Sequence, residues 1–585
     1  MGSPFFSIHL DRLDDERLEA AAVPKNAPAL RGGDRSAAAE ATFGDVENLA
    51  ERAARTHLAR IFARDNQPLV RGVSGSTSAR AVSALRFHDI RHQGKGKSAS
   101  QTVRFVQTRS NIPIFGSRAA VELDRELGFL ACDAALSDPP NISWEPTLTD
   151  GTALEAIAKS AHREARPEDI GRIRRQGLFF LYDEPGNSGW HLVHYLRNVP
   201  FAPPGLPSES RSHGFGPSLS HLNPEFDYLV DAHDGSIVMY WSSGATASAS
   251  PTLALCFGDD ENAVRCEFNG NPRPAAGSSS HVFEMLDASR NISTYDFQMA
   301  DIGNGSVTPV DPISSASAQF LHRPGVSAHS HATLVFDFLN FVLFHRGIDG
   351  AGKGFRSYVN CTLKQAMTPP EWHDASWWRD AMWYGQSKDA DGNLRSFARH
   401  LDIIAHELMH GVTAHISGLI YRDESGALNE SFSDIFAIII KNWNWDPRSK
   451  GGNAATWNWE IGSNAIGPNP LRDISNPART GMPAHRSEYL VTQDDYGGVH
   501  TNSNIHNKAA YNVLTAVDTA GAPMFTPHDV ATLYFRCLDR LGEMTTFSQA
   551  RAALINVASA YFLGHPARAG RLDAIRKAYD SVGIQ

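Results

Sequence analysis

Cysteine is scarce: the chain has five in 585 residues, an odd number, which excludes a disulfide-dense scaffold. Long apolar runs are missing as well. Leu334 to Phe344 is interrupted by Asp337 and Asn340 and falls short of the about 18 residues that a membrane span needs. There is no excess of positive charge, since 54 Lys and Arg face 64 Asp and Glu for a net charge of −10, so a nucleic-acid partner is not expected. Hydrophobic residues at 42% and charged residues at 20% exclude a disordered or collagen-like chain. The start, Met-Gly-Ser-Pro-Phe-Phe-Ser-Ile-His-Leu, meets Asp11 before an apolar core of signal length forms, so no classical signal peptide is visible.

What is present is patterned. Residues 1–42, rich in Ala, Arg and Asp, show no period and are expected to form a poorly ordered leader. From 43 to 64, Leu49, Ala53, Leu58, Ile61 and Phe62 recur at helical spacing. Strands are predicted over 102–108, 119–123, 178–182, 191–195, 228–230 and 237–240, with a turn at 111–116 and a helix over 153–166. Residues 201–222 read as a long Pro, Gly and Ser loop. Ser242 to Pro251 is small, polar and aperiodic, the profile of an accessible linker, and the main domain boundary is placed there. Beyond it, 252–395 mixes strands with a helix near His329 to Arg346, and 396–585 is mostly helical, so the fold class is α+β. Cys256 and Cys266 bracket a turn-rich segment; they either pair across two strands in an oxidising compartment or remain buried thiols.

Chemistry concentrates in Leu401 to Thr413, L-D-I-I-A-H-E-L-M-H-G-V-T. His406 and His410, four apart, share one face of a helix and can ligate one zinc ion, while Glu407 can hold the attacking water. Glu430, twenty positions beyond His410 in G-A-L-N-E-S-F-S-D, can complete a His2Glu site. Asp434, one turn further, can accept the outer N–H of a ligand imidazole and set its tautomer.

The blocks H-E-L-M-H, G-L-I-Y-R-D-E-S-G-A-L-N-E-S-F-S-D and D-Y-G-G-V-H-T-N-S-N-I-H-N-K-A-A-Y, in this order, resemble the signature of thermolysin-like zinc metallopeptidases over about residues 255–585. The resemblance implies a two-lobed catalytic domain, an α/β lobe (252–395) and a mainly helical lobe (396–585), with zinc in the cleft between them. It implies His406, His410 and Glu430 as zinc ligands, Glu407 as general base and Asp434 as partner of a ligand histidine. His500 and Tyr421 then donate to the oxyanion, Asp495 orients His500, and Arg472 grips a substrate carbonyl.

Asp374, Ala375 and Trp377 resemble the edge strand that receives the peptide by main-chain pairing, with Asp374 where the family usually has Asn. Leu394, Phe397, Ile403, Ile461 and Leu471 match an apolar pocket, implying cleavage on the N-terminal side of hydrophobic residues.

Thr102 to Ser117 and 150–240 resemble a fungalysin and thermolysin propeptide followed by a PepSY-type region. Residues 43–245 are therefore expected to act as an intramolecular inhibitor of a zymogen that cuts peptide and protein substrates, with secretion as the expected destination. The alternatives are a non-catalytic zinc-stabilised binding or inhibitory module, and a peptidase effector exported without a signal. The family's double calcium site is matched here only by Asp402 and Glu460; Lys441, Asn458 and Ser463 occupy its other positions, so Lys441 is expected to replace calcium with a fixed positive charge, holding both Asp402 and Glu460 by ion pairs.

Overall fold

The computed structural model describes residues 5–11, 43–64, 83–93, 99–137, 140, 142–161, 173–183, 189–199, 226–242, 255–256, 266–267, 273–274, 281–287, 289–304, 309, 311–316, 319–364, 367–389, 391–446 and 448–585. The expected loop at 201–222 and all of the expected linker except Ser242 lie outside these residues.

Among the described residues the N-terminal part has nine strands and two helices: β1 (Phe5–Asp11), α1 (Phe43–Arg64), β2 (Ser83–Gln93), β3 (Ser100–Arg109), β4 (Ile112–Asp124), β5 (Phe129–Ser137), α2 (Asp150–Ser160), β6 (Arg174–Asp183), β7 (Gly189–Val199), β8 (Phe226–Asp231) and β9 (Ile237–Ser242). Inside the stretch expected to lack regular structure, β1 pairs antiparallel with β5, Ile8 opposite Ala134. Phe6 to Asp11 alternates apolar and polar residues, a strand signal that is lost when 1–42 is read as a single aperiodic stretch.

The β3–β4 connection is tighter than predicted. Ser110 and Asn111, both at positive φ, make a two-residue turn, so β4 starts at Ile112. Besides its hairpin partner β3, β4 serves two more strands, with Ile114 paired to Phe180 of β6 and Arg118 to Leu123 running along β5. The handover falls at Gly116, whose φ of +79° suits a residue without Cβ. One half of the sheet buries Val103, Phe105, Val121 and Leu123 under Ala50, Ala54, Leu58 and Ile61 of α1. The other half packs Leu196, Phe226 and Tyr228 on Ala153, Leu154 and Ile157 of α2.

The second part opens on a mixed sheet of β10 (Leu286–Asp287), β11 (Ile292–Asp296), β12 (Arg356–Val359), β13 (Trp372–Trp378), β14 (Ala381–Lys388) and β15 (Leu394–Ser396). Its order is β10-β11-β12-β14-β13, with β15 also paired to β14, which leaves β13 an edge strand among the described residues. α3 (Arg323–Asp337) lies against it and runs into a π-helical turn at Phe338–Val342. Nearby, Cys256 and Cys266 face each other in an antiparallel backbone register; Cys132, Cys361 and Cys537 are buried free thiols.

The helical part comprises α4 (Leu401–Ile416), α5 (Asp423–Lys441), α6 (Asp495–Leu514), α7 (Pro527–Leu538), α8 (Phe547–Tyr561) and α9 (Arg568–Asp580). α4 and α5 are buried on nearly every side, with Ile403, Leu408, Val412, Phe432, Ile435 and Ile439 all in the core. Thr526 and Thr546 start α7 and α8 with capping boxes. Among the described residues no helix is long and apolar enough to cross a membrane.

The two parts meet face to face. Arg540 of the helical part is buried against Glu122 and Asp133 of the N-terminal sheet, and Asn556 donates to Asp133 at 2.8 Å. Arg104 donates to the Ile416 carbonyl at 2.6 Å and Arg118 to the Leu541 carbonyl at 2.7 Å. Ile420 joins Phe115, Leu181, Val193, Leu229 and Trp241 in one apolar cluster.

Candidate active site

Three helices deliver the polar groups. On α4, His406 and His410 lie one turn apart with their Nε2 atoms separated by 3.0 Å. Glu430 of α5 brings its carboxylate to 3.4 Å from His406 Nε2 and 3.3 Å from His410 Nε2. Each imidazole is oriented from behind. Asp434 Oδ1 lies 2.8 Å from His406 Nδ1. His410 Nδ1 donates to Asn429 Oδ1 at 2.8 Å, and the Asn429 amide is set by its own donation to the Leu419 carbonyl.

With both Nδ1 positions turned outward, both Nε2 atoms face the same point as the Glu430 carboxylate, whose Oε2 is buried and accepts no hydrogen bond. Converging acceptors repel unless a cation sits among them. Burial opposes charge on His406, but Glu430 and Asp434 overcome it and raise its pKa to about 10; a field that favours a proton there favours a metal cation too. The group His406, His410 and Glu430 can hold a metal ion, and the His2Glu donor set suits zinc with a position left open.

Glu407 lines the same cavity on the side toward the sheet, accepting the Trp377 backbone N–H on Oε2 at 2.8 Å. Burial raises its carboxyl above the ordinary value, against the pull of His406 and His410. The close approach of β13 to α4 depends on Gly411: a Cβ there would lie 2.7 Å from Cζ2 of the Trp377 indole. Asp374, at the start of the same edge, is buried, and burial together with the Glu407 charge raises its pKa well above the carboxylate norm.

α6 starts with four residues in the left-handed region, Asp495, Tyr496, Gly497 and Gly498. Gly497 permits this turn to touch α5, because a Cβ would fall 2.2 Å from Asp423 Oδ1. Two left-handed non-glycine residues cost roughly 1–2 kcal/mol each. Asp495 offsets part of that by accepting both the His500 backbone N–H at 3.0 Å and His500 Nδ1 at 2.6 Å. His500 Nε2 then meets the Tyr421 hydroxyl at 3.0 Å, and Tyr421 donates onward to Glu430 Oε1. Burial disfavours the imidazolium, but Asp495 and Glu430 prevail and raise the His500 pKa to about 9.

Arg472 lies behind the cluster, fully buried, donating from Nη2 to Asp434 Oδ1 at 2.7 Å. The apolar set expected to form a substrate pocket is dispersed. Phe397, Ile403 and Ile461 belong to the core, Leu471 packs against it and Leu394 is exposed.

The cavity above His406, His410 and Glu430, about 560 Å3, is lined instead by Asp374, Ala375, Ser376, Trp377 and Tyr421 and, from the N-terminal part, by Phe115, Arg118, Phe179, Tyr195 and Trp241. Sequence reasoning assigned no role to Asn429, and gave these N-terminal residues only the inhibitory role expected of 43–245 as a whole. Asn429 carried a readable signal: with Glu430, Ser433 and Asp434 it makes a polar pattern at i, i+1, i+4 and i+5 just ahead of the apolar run Ile435–Ile440. The cavity wall across the domain boundary carried none.

Residues 268–414 match the model of the thermolysin metallopeptidase catalytic domain and 417–584 that of its alpha-helical domain. The chain is 29% identical over 514 residues to a bacillolysin of Brevibacillus brevis, covering 85% of each chain. It is 28% identical over 519 residues to a thermolysin of Alicyclobacillus acidocaldarius subsp. acidocaldarius, covering 82% of this chain and 83% of that one. Alignments of this length run well upstream of residue 268. An extracellular elastase of Staphylococcus epidermidis is 28% identical over 370 residues, covering 63% of this chain and 64% of that one. The solved precursor of protealysin from Serratia proteamaculans aligns with 24% identity and a TM-score of 0.40, covering 50% of this chain and 87% of that one. By its two matched domains, its relatives and its convergent His, His and Glu side chains, the chain belongs to the thermolysin family of metallopeptidases and is a metalloendopeptidase.

Proposed function

We propose that the chain is made as a self-inhibited precursor of a zinc endopeptidase that hydrolyses peptide bonds on the N-terminal side of hydrophobic residues. One observation carries the inhibition: Phe115, Arg118, Phe179, Tyr195 and Trp241 of the N-terminal part wall the cavity that holds His406, Glu407, Tyr421 and His500. A polypeptide substrate cannot lie along β13 while that wall is in place. The last described residue of the N-terminal part, Ser242, follows directly on Trp241, so a cut in the expected linker at 242–251 would free the wall.

His406, His410 and Glu430 would hold zinc, which when bound supplies Lewis acidity to the attacking water and the scissile carbonyl. The peptide adds a strand to the free edge of β13, its backbone taking the main-chain groups around Ala375. Glu407, steadied by the Trp377 N–H, accepts the proton of the attacking water and passes it to the leaving amine. Tyr421 and His500 converge from one side and donate to the carbonyl oxygen as it gains charge. Arg472 acts through Asp434, to which it is bonded. The preference for a hydrophobic residue after the scissile bond rests on the family resemblance alone, since Ile403 lies in the core and Leu471 packs against it. An extracellular place of action is proposed from the printed name of the staphylococcal relative.

The reading extends to calcium. Lys441 Nζ donates to Asp402 Oδ2 at 2.7 Å and to the Glu460 carbonyl at 2.9 Å. The Glu460 carboxylate is held separately, by Ser463 at 2.7 Å and Arg479 at 2.5 Å. We propose that these cations take the place of calcium, with Lys441 on Asp402 and Arg479 on Glu460, rather than Lys441 bridging both carboxylates.

The test is hydrolysis of casein and of a quenched peptide by intact and processed protein, with and without a zinc chelator, alongside mass spectrometry. The expected result is chelator-sensitive activity that rises as a cut appears within 242–251. Full activity in protein still carrying residues 1–241 covalently would refute the inhibitory role.

A further inference from the structure

Behind the metal ligands runs a line of polar side chains that the proposed chemistry does not use. Asp434 gives Oδ1 to His406 and Arg472, and its Oδ2 accepts Asn507 Nδ2 at 2.8 Å. Asn507 Oδ1 meets the Ser431 hydroxyl at 2.7 Å. Ser431 Oγ meets His506 Nδ1 at 2.7 Å. His506 Nε2 meets the Tyr579 hydroxyl of α9 at 2.9 Å, and Tyr579 meets Tyr534 of α7 at 3.3 Å. All six, from Asp434 to Tyr534, are fully buried.

The direction of every bond follows from donor and acceptor counting. An ionised Asp434 only accepts, so Asn507 must present its NH2 to it and its carbonyl oxygen to Ser431. The single Ser431 proton therefore goes to Asn507, and Ser431 can only accept from His506 Nδ1–H. Burial keeps His506 uncharged, its pKa lowered to about 3, which leaves a lone pair on Nε2 for the Tyr579 proton. Tyr579 in turn accepts from Tyr534. The chain runs one way, from α7 and α9 through α6 and α5 to the carboxylate that orients a metal ligand. Bonds aligned in this manner polarise and strengthen one another.

We propose that Asn507 and His506 are positioning residues for the metal centre: their one-way hydrogen-bond chain holds Asp434 Oδ2, so that Oδ1 remains turned to His406 and its Nε2 to the metal. The inference rests on the reading of His406, His410 and Glu430 as a zinc site. An outer hydrogen-bond partner of a ligand histidine sets ring orientation and basicity, and its loss weakens metal affinity about ten- to a hundred-fold.

The test uses the full chain and two variants of similar volume, Asn507→Leu and His506→Phe, with His506→Asn as the conservative partner that keeps a donor toward Ser431. Zinc affinity is read by competition with a chelator, kcat and KM on a short peptide, and folding by thermal melting. We expect about ten-fold or greater weakening of zinc binding in Asn507→Leu and His506→Phe, a fall in kcat with KM nearly constant, and partial recovery in His506→Asn. Folded variants that bind zinc as the parent does, or equal weakening by Phe and Asn at 506, would overturn the relay. If Asn507→Leu does not fold, the comparison at 506 decides alone. If the parent takes up no zinc, the metal-site reading fails and the relay with it.

Discussion

The Trp377 backbone N–H donates to Glu407 Oε2 at 2.8 Å, tying the edge strand expected to receive substrate to the side chain expected to move its proton. Replacing Glu407 with Gln keeps the volume and the link to Trp377 but removes the proton acceptor. Turnover should fall by about 100- to 10,000-fold with zinc content unchanged, measured by kcat on a quenched peptide and by metal analysis. A Glu407→Gln protein with near-parental turnover would remove Glu407 from the mechanism.

Gly411 allows that contact. In Gly411→Ala the new methyl falls 2.7 Å from the Trp377 indole, so β13 must retreat from α4. We expect a loss of about 1–3 kcal/mol, the usual range for overpacking, together with a fall in kcat/KM for peptides. Denaturant unfolding and steady-state kinetics read the two effects, and a neutral outcome in both would show that the strand shifts without cost.

His500 reaches the centre through Tyr421, and its donation to a developing oxyanion is made mainly in the transition state. His500→Ala should therefore lower kcat far more than it raises KM. An effect confined to KM would reassign His500 to substrate binding.

Lys441 stands over the buried Asp402 at 2.7 Å. Burial raises the Asp402 pKa, but Lys441 and His400 outweigh it, leaving the pKa lowered in the folded state. The stability this contributes is complete above the unfolded carboxylate pKa and disappears as pH falls through the lower folded value. Lys441→Ala should destabilise the protein by about 2–4 kcal/mol near neutrality, the order expected for a broken buried pair with one partner partly exposed. Parent and variant should converge at acid pH. The parent Tm should not respond to calcium or its chelation; tight calcium binding abolished by Asp402→Asn would contradict the replacement.

Arg540 joins the two parts of the chain by pairing with Glu122 and Asp133. Arg540→Ala leaves two carboxylates at a buried interface, a defect of about 3–5 kcal/mol. The intact chain carrying it should be more active toward peptides before processing and more rapidly cut by an added protease. Parental behaviour in both assays would place the hold on the N-terminal part elsewhere, on the apolar cluster around Ile420 and Phe115.

Residue spacing alone marked out the metal centre. His406 and His410 share a helix face because 3.6 residues make a turn, and Glu430 and Asp434 do so for the same reason, so the group that can hold a metal ion and the carboxylate beside His406 were legible without coordinates. Helices with a sustained apolar period, such as Phe43–Arg64, were legible on the same principle, and so was the alternation of Phe6 to Asp11 in β1, which was passed over because its surroundings show no period.

Only the tertiary structure decided the rest. It set Asn429 against His410 and Asn507 against Asp434, turned Arg472 inward onto Asp434, moved Phe397, Ile403 and Ile461 into the core, gave Glu460 to Arg479 instead of Lys441, and made Phe115, Arg118 and Trp241 a wall of the metal cavity. Local periodicity states which side of an element is apolar or polar. Which partner meets that side depends on how distant elements pack, and residues such as Trp241 and Glu407 share a cavity through contacts that no spacing within one helix or strand encodes.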